Sequence, residues 1–254
     1  MAEFDDRERP SLRFATMPVV VGADSEVGAA IMGCLREAGG DPTPVARRPA
    51  NSGQVSATIG AAGAVPSAES TWDPRSPLSA KSLVLSLSVK TPIDLCVVVE
   101  DTLVLEATPL HDLHLFDVDR VVDEHVKSYL FLLREPLRHG ADARATHGEQ
   151  HPAMQLALVR TRSPAAGEQL PPLQASVSGA FSALVDTLIA ADTHPGTEFI
   201  LFEPTGSAGV DGPLKTPTEL EAYGDFVVET LQGGVSERRG RHRFRPGRRR
   251  LSLF

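Results

Sequence analysis

Val19-Val20-Val21-Gly22-Ala23-Asp24-Ser25-Glu26-Val27-Gly28 decides the fold. A short apolar run, Pro18 to Val21, is closed by a glycine. Val27, Ile31, Cys34 and Leu35 then recur at three- and four-residue spacing until Gly39 and Gly40 end the pattern. That is strand, turn and helix in 23 residues. Downstream the alternation continues. A short strand Thr43 to Ala46 comes first, a helix begins at Pro77 and runs through Leu78, Leu83, Val84 and Leu87, and a strand follows from Ile93 to Val99. A wide apolar stripe covers Phe116 to Leu137, with Val118, Val121, Val122, Val126, Tyr129, Leu130 and Leu133 on it, about six turns at 3.6 residues each. Gly140 to Pro152 reads as a polar connection. A strand Met154 to Val159, a helix from Ser176 to Ala191 and a strand Phe199 to Phe202 complete the series. Strands alternating with helices demand parallel pairing and right-handed crossovers, so the expected fold class is α/β, a doubly wound parallel sheet (Rossmann-like) in one domain.

The 254 residues suffice for one large domain. We expect residues 1–15 as a flexible amino-terminal segment, 16–254 as the domain, and 236–254 as a basic carboxyl-terminal docking segment. No stretch comes near eighteen consecutive apolar residues, which argues against a membrane span. The start, with Glu3, Asp5, Asp6 and Glu8, is acidic where a secretory signal is basic, so a cytoplasmic chain is expected. Cys34 and Cys96 fall inside apolar runs and read as core thiols. Charge is uneven: eight arginines lie between Arg238 and Arg250 without an acid, and the remaining 17 basic residues stand against 33 acidic ones.

Beyond the turn at 19–28, further words accumulate in order: Ala46-Arg47-Arg48, Ile93 to Val98, Asp119 to Lys127 in the long helix, and Glu203-Pro204-Thr205-Gly206. Together they resemble the short-chain dehydrogenase/reductase family from about Val19 to Gly206. The resemblance implies a nicotinamide dinucleotide, NADP if any, held at Gly22 and Gly28, with Arg47 and Arg48 at the 2′-phosphate. It also implies a Tyr and a Lys four residues later acting as one proton donor, a strand-five Ser and a helix Asn.

This chain departs from that pattern at each reacting position. Leu173 and Val177 stand for the Tyr and Lys, His125 for the Asn, and the Ser has only Thr161 or Ser163 near it. A phenol titrates near neutrality only beside a cation, and an aliphatic pair transfers no proton. Glu26 replaces the middle glycine of the turn, Val98-Val99-Glu100-Asp101 replaces Asn-Asn-Ala-Gly, and Ser70 takes the place of the Asp that meets adenine. Like charges within a few ångströms of a diphosphate cost on the order of 1 to 4 kcal/mol. The expectation is no catalytic residue and no bound cofactor.

Other constellations are weaker. His111 with His114, and His147 with His151, have ligand-like spacing in stretches read as loop, without a third ligand, so no metal is expected. Ser163, Ser176 or Ser178 with His151 or His194 lacks the strand-turn-helix setting of a serine nucleophile. Arg241, Arg243 and Arg245 alternate with His242 and Phe244 at strand period, which favours a docking edge strand over a nucleic-acid arm. The resemblance implies that the helix 116–137 and the helix 176–191, with Val177, Phe181, Leu184, Val185 and Leu188, pack against another subunit. The leading expectation is a non-catalytic subunit pairing with an active homologous reductase, in acyl-thioester or polyketide-type metabolism by analogy. The alternative is an NADP-dependent oxidoreductase whose acid is His125 or Tyr129. A nucleotide-sensing regulator acting through the arginine tail is third.

Overall fold

The computed structural model describes residues 18–48, 71–89, 93–100, 105, 108–147, 153–162, 169–190, 194, 196–205, 214, 216–233 and 240–245. Seven strands form one parallel sheet in the order β3-β2-β1-β4-β5-β6-β7. They are β1 (Val19–Val21), β2 (Thr43–Arg47), β3 (Thr71–Trp72), β4 (Leu95–Val99), β5 (Met154–Val159), β6 (Thr197–Pro204) and β7 (Gly240–Phe244). The helices are α1 (Glu26–Glu37), α2 (Pro77–Ser88), α3 (Leu115–Val122), α4 (Ser128–His147), α5 (Pro172–Ala190) and α6 (Pro217–Gln232).

Because successive strand side chains point to opposite faces, each strand feeds two cores. Val19 and Val21 join Leu83, Leu132, Phe181 and Val185 under α2, α4 and α5. Val20 joins Ile31, Leu35, Tyr223 and Leu231 under α1 and α6. The central strands β4 and β5 are buried at every position, as a sheet covered on both faces requires. This three-layer arrangement is the doubly wound, Rossmann-like fold expected from the alternation.

Several boundaries differ from expectation. The helix read as 116–137 is two α-helical pieces joined by a π turn, Asp123–Lys127, and it continues to His147. Residues 140–147 are therefore helix, not loop. Their alanines are good helix formers, Arg138 pairs with Asp142 at 3.9 Å one turn on, and Gly140 allows close approach to Met154 and Thr197. The short strand β3 and the helix α6 carry no periodic signal strong enough to have been expected. α6 starts at a capping box in which Thr216 and Glu219 exchange side-chain and backbone bonds, with Pro217 in the first turn.

Two further expectations are corrected. The apolar residues of α5 assigned to a subunit interface lie instead in the chain's own core: Val177, Phe181, Val185 and Leu188 are buried, and Leu184 packs against them. The outward face is left with Ala175, Ser176, Gly179, Ala183, Asp186 and Thr187. The same helix is long and apolar enough to cross a membrane by length and composition, which the sequence reading had not recognised. Its buried apolar residues pack inside the chain, Phe181, Val185 and Leu188 in the core with the sheet and Leu173 and Val177 against α3. Cys34 and Cys96 are buried free thiols.

Candidate functional site

Strand β1 ends in a turn that only glycine can make. Gly22 has φ +82°, and its N–H donates to Val45 O at 2.9 Å. Ser25 caps α1: its Oγ accepts the Gly28 N–H at 3.0 Å and donates to Gly22 O at 2.7 Å. Gly28 must also be glycine, since a Cβ there would stand 2.1 Å from Gly22 O. Both glycines of the turn thus serve close approach of helix to strand. Glu26 lies in the first turn of α1, exposed, as does Asp24 in the loop before it.

Beside this turn, at the carboxyl ends of β1, β2 and β4, lies a cleft of about 190 Å³. Its apolar walls are Val21, Val98, Val99, Trp72, Tyr129 and Leu132, and its polar groups come from Asp24, Ser25, Arg47 and Ser128. Such crevices at the strand ends are where doubly wound sheets bind ligands.

One wall of the cleft is set by the π turn. There the Ser128 N–H reaches back five residues to Asp123 O, so Glu124 O lacks the backbone donor an α-helix would give it. Two side chains supply the bonds. Ser128 Oγ donates to Glu124 O at 2.6 Å, and the Arg47 guanidinium donates to the same oxygen from β2. Arg47 thus spans from the sheet to the long helix. Arg48, by contrast, is exposed and donates to Thr71 Oγ1 at 3.3 Å, outside the cleft lining.

Leu173 and Val177 lie on the first turns of α5, packed in an apolar cluster with Val121. Leu105, Leu113, Val118 and Val126 close over it. His125 is buried on the π turn, and Thr161 Oγ1 donates to Glu100 O at 3.3 Å just past β5. The described residues bring Gly22 and Arg47 to one cleft and Leu173, Val177 and Val121 to one cluster. Tyr129 lines the cleft, its ring edge-on to Phe181 with centroids 4.9 Å apart.

The sequence reading missed the most polar part of this region. Arg160, directly after β5 and 6% exposed, donates to Glu100 Oε2 at 2.9 Å, Ser178 Oγ at 3.0 Å and Ser182 Oγ at 3.1 Å. It also donates to Glu203 Oε1 at 3.5 Å and lies over the Phe181 ring. Glu203 in turn meets Arg241 at 3.4 Å and Arg243 at 3.9 Å, so the cluster ties β4, β5, β6, β7 and α5 together. Burial opposes the Arg160 charge, but Glu100 and then Glu203 outweigh it and raise the group further. Tyr223, fully buried, donates to Arg160 O at 3.0 Å; burial, then Glu203 and Glu100, push its phenol well up.

The remaining candidates do not converge. Ser178 is held by Arg160 at the carboxyl end of β5, whereas His194 precedes β6 and packs on Phe199. In parallel strands these are opposite ends of the sheet, some 20 Å apart at about 3.3 Å per residue. Ser176 is exposed and donates to Pro172 O. His111 pairs with Asp112 at 3.5 Å, His114 precedes α3, and among the described residues no three His, Cys, Asp or Glu side chains form a metal set. Residues 1–15, Ser70, Asp101, His151, Ser163, Gly206 and most of the arginine tail lie outside the described residues.

No protein-family profile matches the chain, and no curated protein matches it by sequence. Solved structures do. A metagenomic short-chain oxidoreductase in complex with NADP is 17% identical, aligns over 92% of this chain and 98% of its own, and gives a TM-score of 0.64. A short-chain dehydrogenase from Rhodopseudomonas palustris is 17% identical over 91% and 98%, with a TM-score of 0.62. A gluconate 5-dehydrogenase from Burkholderia cenocepacia, in complex with NADP and tartrate, is 12% identical over 91% and 93%, with a TM-score of 0.61. The chain thus has the fold of the short-chain dehydrogenase/reductases, complete across the sheet and both helical layers.

Proposed function

We propose that this chain is a non-catalytic subunit with the short-chain dehydrogenase/reductase fold, which pairs with a homologous active subunit and stabilises it. The observation that carries this reading is the burial of Leu173 and Val177 against Val121, where the resemblance puts a proton donor and its cation. Neither side chain can give up a proton or hold a ribose hydroxyl, so a carbonyl reduction of the family's kind has no acid here. The nearest strong polar group, Arg160, is committed to two carboxylates and two serines.

The face offered for pairing is the outer side of α3 and α4. Leu115, Phe116 and Leu130 are exposed there, at 81%, 75% and 47%. Acids predominate from Asp117 to Glu124 and bases from Lys127 to Arg144. Two such helices packed antiparallel across a two-fold set acidic end against basic end, which suits a second copy or a close homologue. Exposed hydrophobic groups rimmed by charge are the usual mark of such a surface.

A second reading, an NADP-dependent oxidoreductase with an atypical acid, is favoured by one observation: Tyr129 lines the cleft beside Gly22. One experiment separates the two. The chain is co-expressed with a homologous active reductase, the products are sized, and each species is assayed with NADPH and a panel of ketones. A mixed complex, with turnover only from the partner, supports the first reading. A monomer that turns over by itself overturns it.

A further inference from the structure

Strand β7 closes one side of the sheet, and among the described residues no strand pairs with its outer edge. The strand at the opposite edge, β3, is two residues long and offers little to a partner. β7 runs for five, Gly240–Phe244, and an edge of that length presents main-chain N–H and C=O groups to any strand that fits it.

The two faces of β7 set what fits. Arg241 and Arg243 point toward α5: Arg241 meets Asp186 on that helix, and both arginines meet Glu203. Arg245, exposed, continues the two-residue period just past the strand. His242 and Phe244 point toward α6, His242 stacked on Phe202 and Phe244 packed on Tyr223 and Phe226. One face is basic and the other aromatic.

Charge on the basic face is only partly answered. The buried carboxylate of Glu203 is already shared by Arg160, Arg241 and Arg243. Arg243 is 3.9 Å from it with 60% of its side chain exposed, so Arg243 and Arg245 keep most of their charge for a partner. A second copy of β7 added antiparallel would set arginine against arginine on this face, which disfavours self-pairing. On the other side, α6 carries Glu221, Asp225 and Glu229 exposed and no basic residue, which repels acids placed there.

We propose that the outer edge of β7 takes up an extended peptide segment in which acidic and apolar residues alternate, paired through its main chain with the acids toward α5. Arg243 and Arg245 select the charge, and the alternation along β7 selects the pattern. This surface is separate from the outer side of α3 and α4, so its failure leaves the non-catalytic reading standing.

The full chain is titrated with a fluorescein-labelled peptide of alternating glutamate and valine, long enough to cover β7, and anisotropy is followed. Saturable binding is expected, weaker as salt rises to about 0.5 M, with amide exchange slowed across residues 241–245 in the complex. A peptide with the same glutamates grouped ahead of the valines, and one alternating lysine with valine, are expected to need about tenfold higher concentration or more. The double substitution R243Q/R245Q, at two exposed positions, is expected to weaken the alternating peptide about tenfold with the unfolding midpoint unchanged. The proposal is overturned if no binding saturates, if the grouped or the lysine peptide binds as well, or if R243Q/R245Q binds like the parent. It is also overturned if duplex DNA at physiological salt binds these arginines more tightly, or if sizing shows a dimer that R243Q/R245Q dissociates, which would give the edge to a second copy.

Discussion

The Arg47 guanidinium on β2 and the main-chain carbonyl of Glu124 in the π turn are hydrogen-bonded across 77 residues of sequence. This bond joins the sheet to the long helix beside the cleft that Arg47 lines. Substituting Arg47→Met leaves Glu124 O with Ser128 Oγ, so that carbonyl is not orphaned while the charge-assisted bond is lost. We expect a loss of about 1–2 kcal/mol, and less than about 0.5 kcal/mol for R48M, whose side chain is exposed. Urea unfolding of the two variants beside the parent decides it. Equal costs would mean that the bridge across the cleft contributes nothing.

The two glycines of α1 make opposite predictions. Gly28→Ala would set a methyl 2.1 Å from Gly22 O, and the helix would have to move off the strand. A cost of about 3 kcal/mol or more is expected, roughly 6 °C or more in Tm for a chain of this size. Gly33→Ala, whose new Cβ meets nothing within 4 Å, should stabilise by about 0.5–1 kcal/mol because alanine loses less backbone freedom on helix formation. Thermal melts in which G28A matches G33A would show that the tight approach at Gly28 is not real.

How far the sequence could be read follows from how local each signal is. The strand-turn-helix at 19–28 and the apolar strands β4 and β5 are written in contiguous residues, and their pattern survives folding unchanged. The helix α6 has its buried residues at Tyr223, Val227, Val228 and Leu231, but Gly224 and the acidic residues between them blur the stripe. The Thr216-to-Glu219 capping box was the signal that could have found it. The apolar stripe ending at Leu137 and the polar residues from Gly140 suggested a helix end, yet the helix continues because its outer face needs no apolar residues. Arg160 was opaque for a different reason. Its carboxylate partners lie 60 and 43 residues away, and nothing in the sequence pairs them. The long-range polar contacts of the site were the part that periodicity could not supply.

Arg160 is therefore the residue with the most to lose. Replacing it by leucine removes the cation between Glu100 and Glu203, and Glu203 is 5% exposed. Breaking a buried pair by removing one partner costs about 3–5 kcal/mol when the remaining charge has no other partner, and Arg241 and Arg243 still face Glu203, so the lower end is expected. R160L should lose that much, whereas the triple change R160L/E100Q/E203Q should recover part of it by removing the stranded charges. A double-mutant analysis of unfolding free energies reads this directly. A triple variant no more stable than R160L would mean that the carboxylates had found other partners.

The two thiols set the behaviour in alkali. Burial, reinforced by the hydrogen bond to Asp225, pushes Cys34 up to about 12, and burial pushes Cys96 up to about 12, against an ordinary value of 9.0. A folded-state pKa above the unfolded one means that the native chain holds its proton longer. The resulting stability is whole below about pH 9 and drains as pH rises from 9 toward 12, because only the unfolded chain then gains by ionising. At pH 10 each thiol should cost about 1.4 kcal/mol of unfolding free energy relative to pH 8, one pKa unit's worth. Cys96→Ala should remove its share of that slope, although the small cavity it leaves lowers stability at every pH. Native labelling with a thiol reagent at pH 8 should be slow for both residues and rapid once urea unfolds the chain. A pH 8-to-10 slope unchanged in C96A would mean that the Cys96 thiol is not shifted by its burial in the sheet.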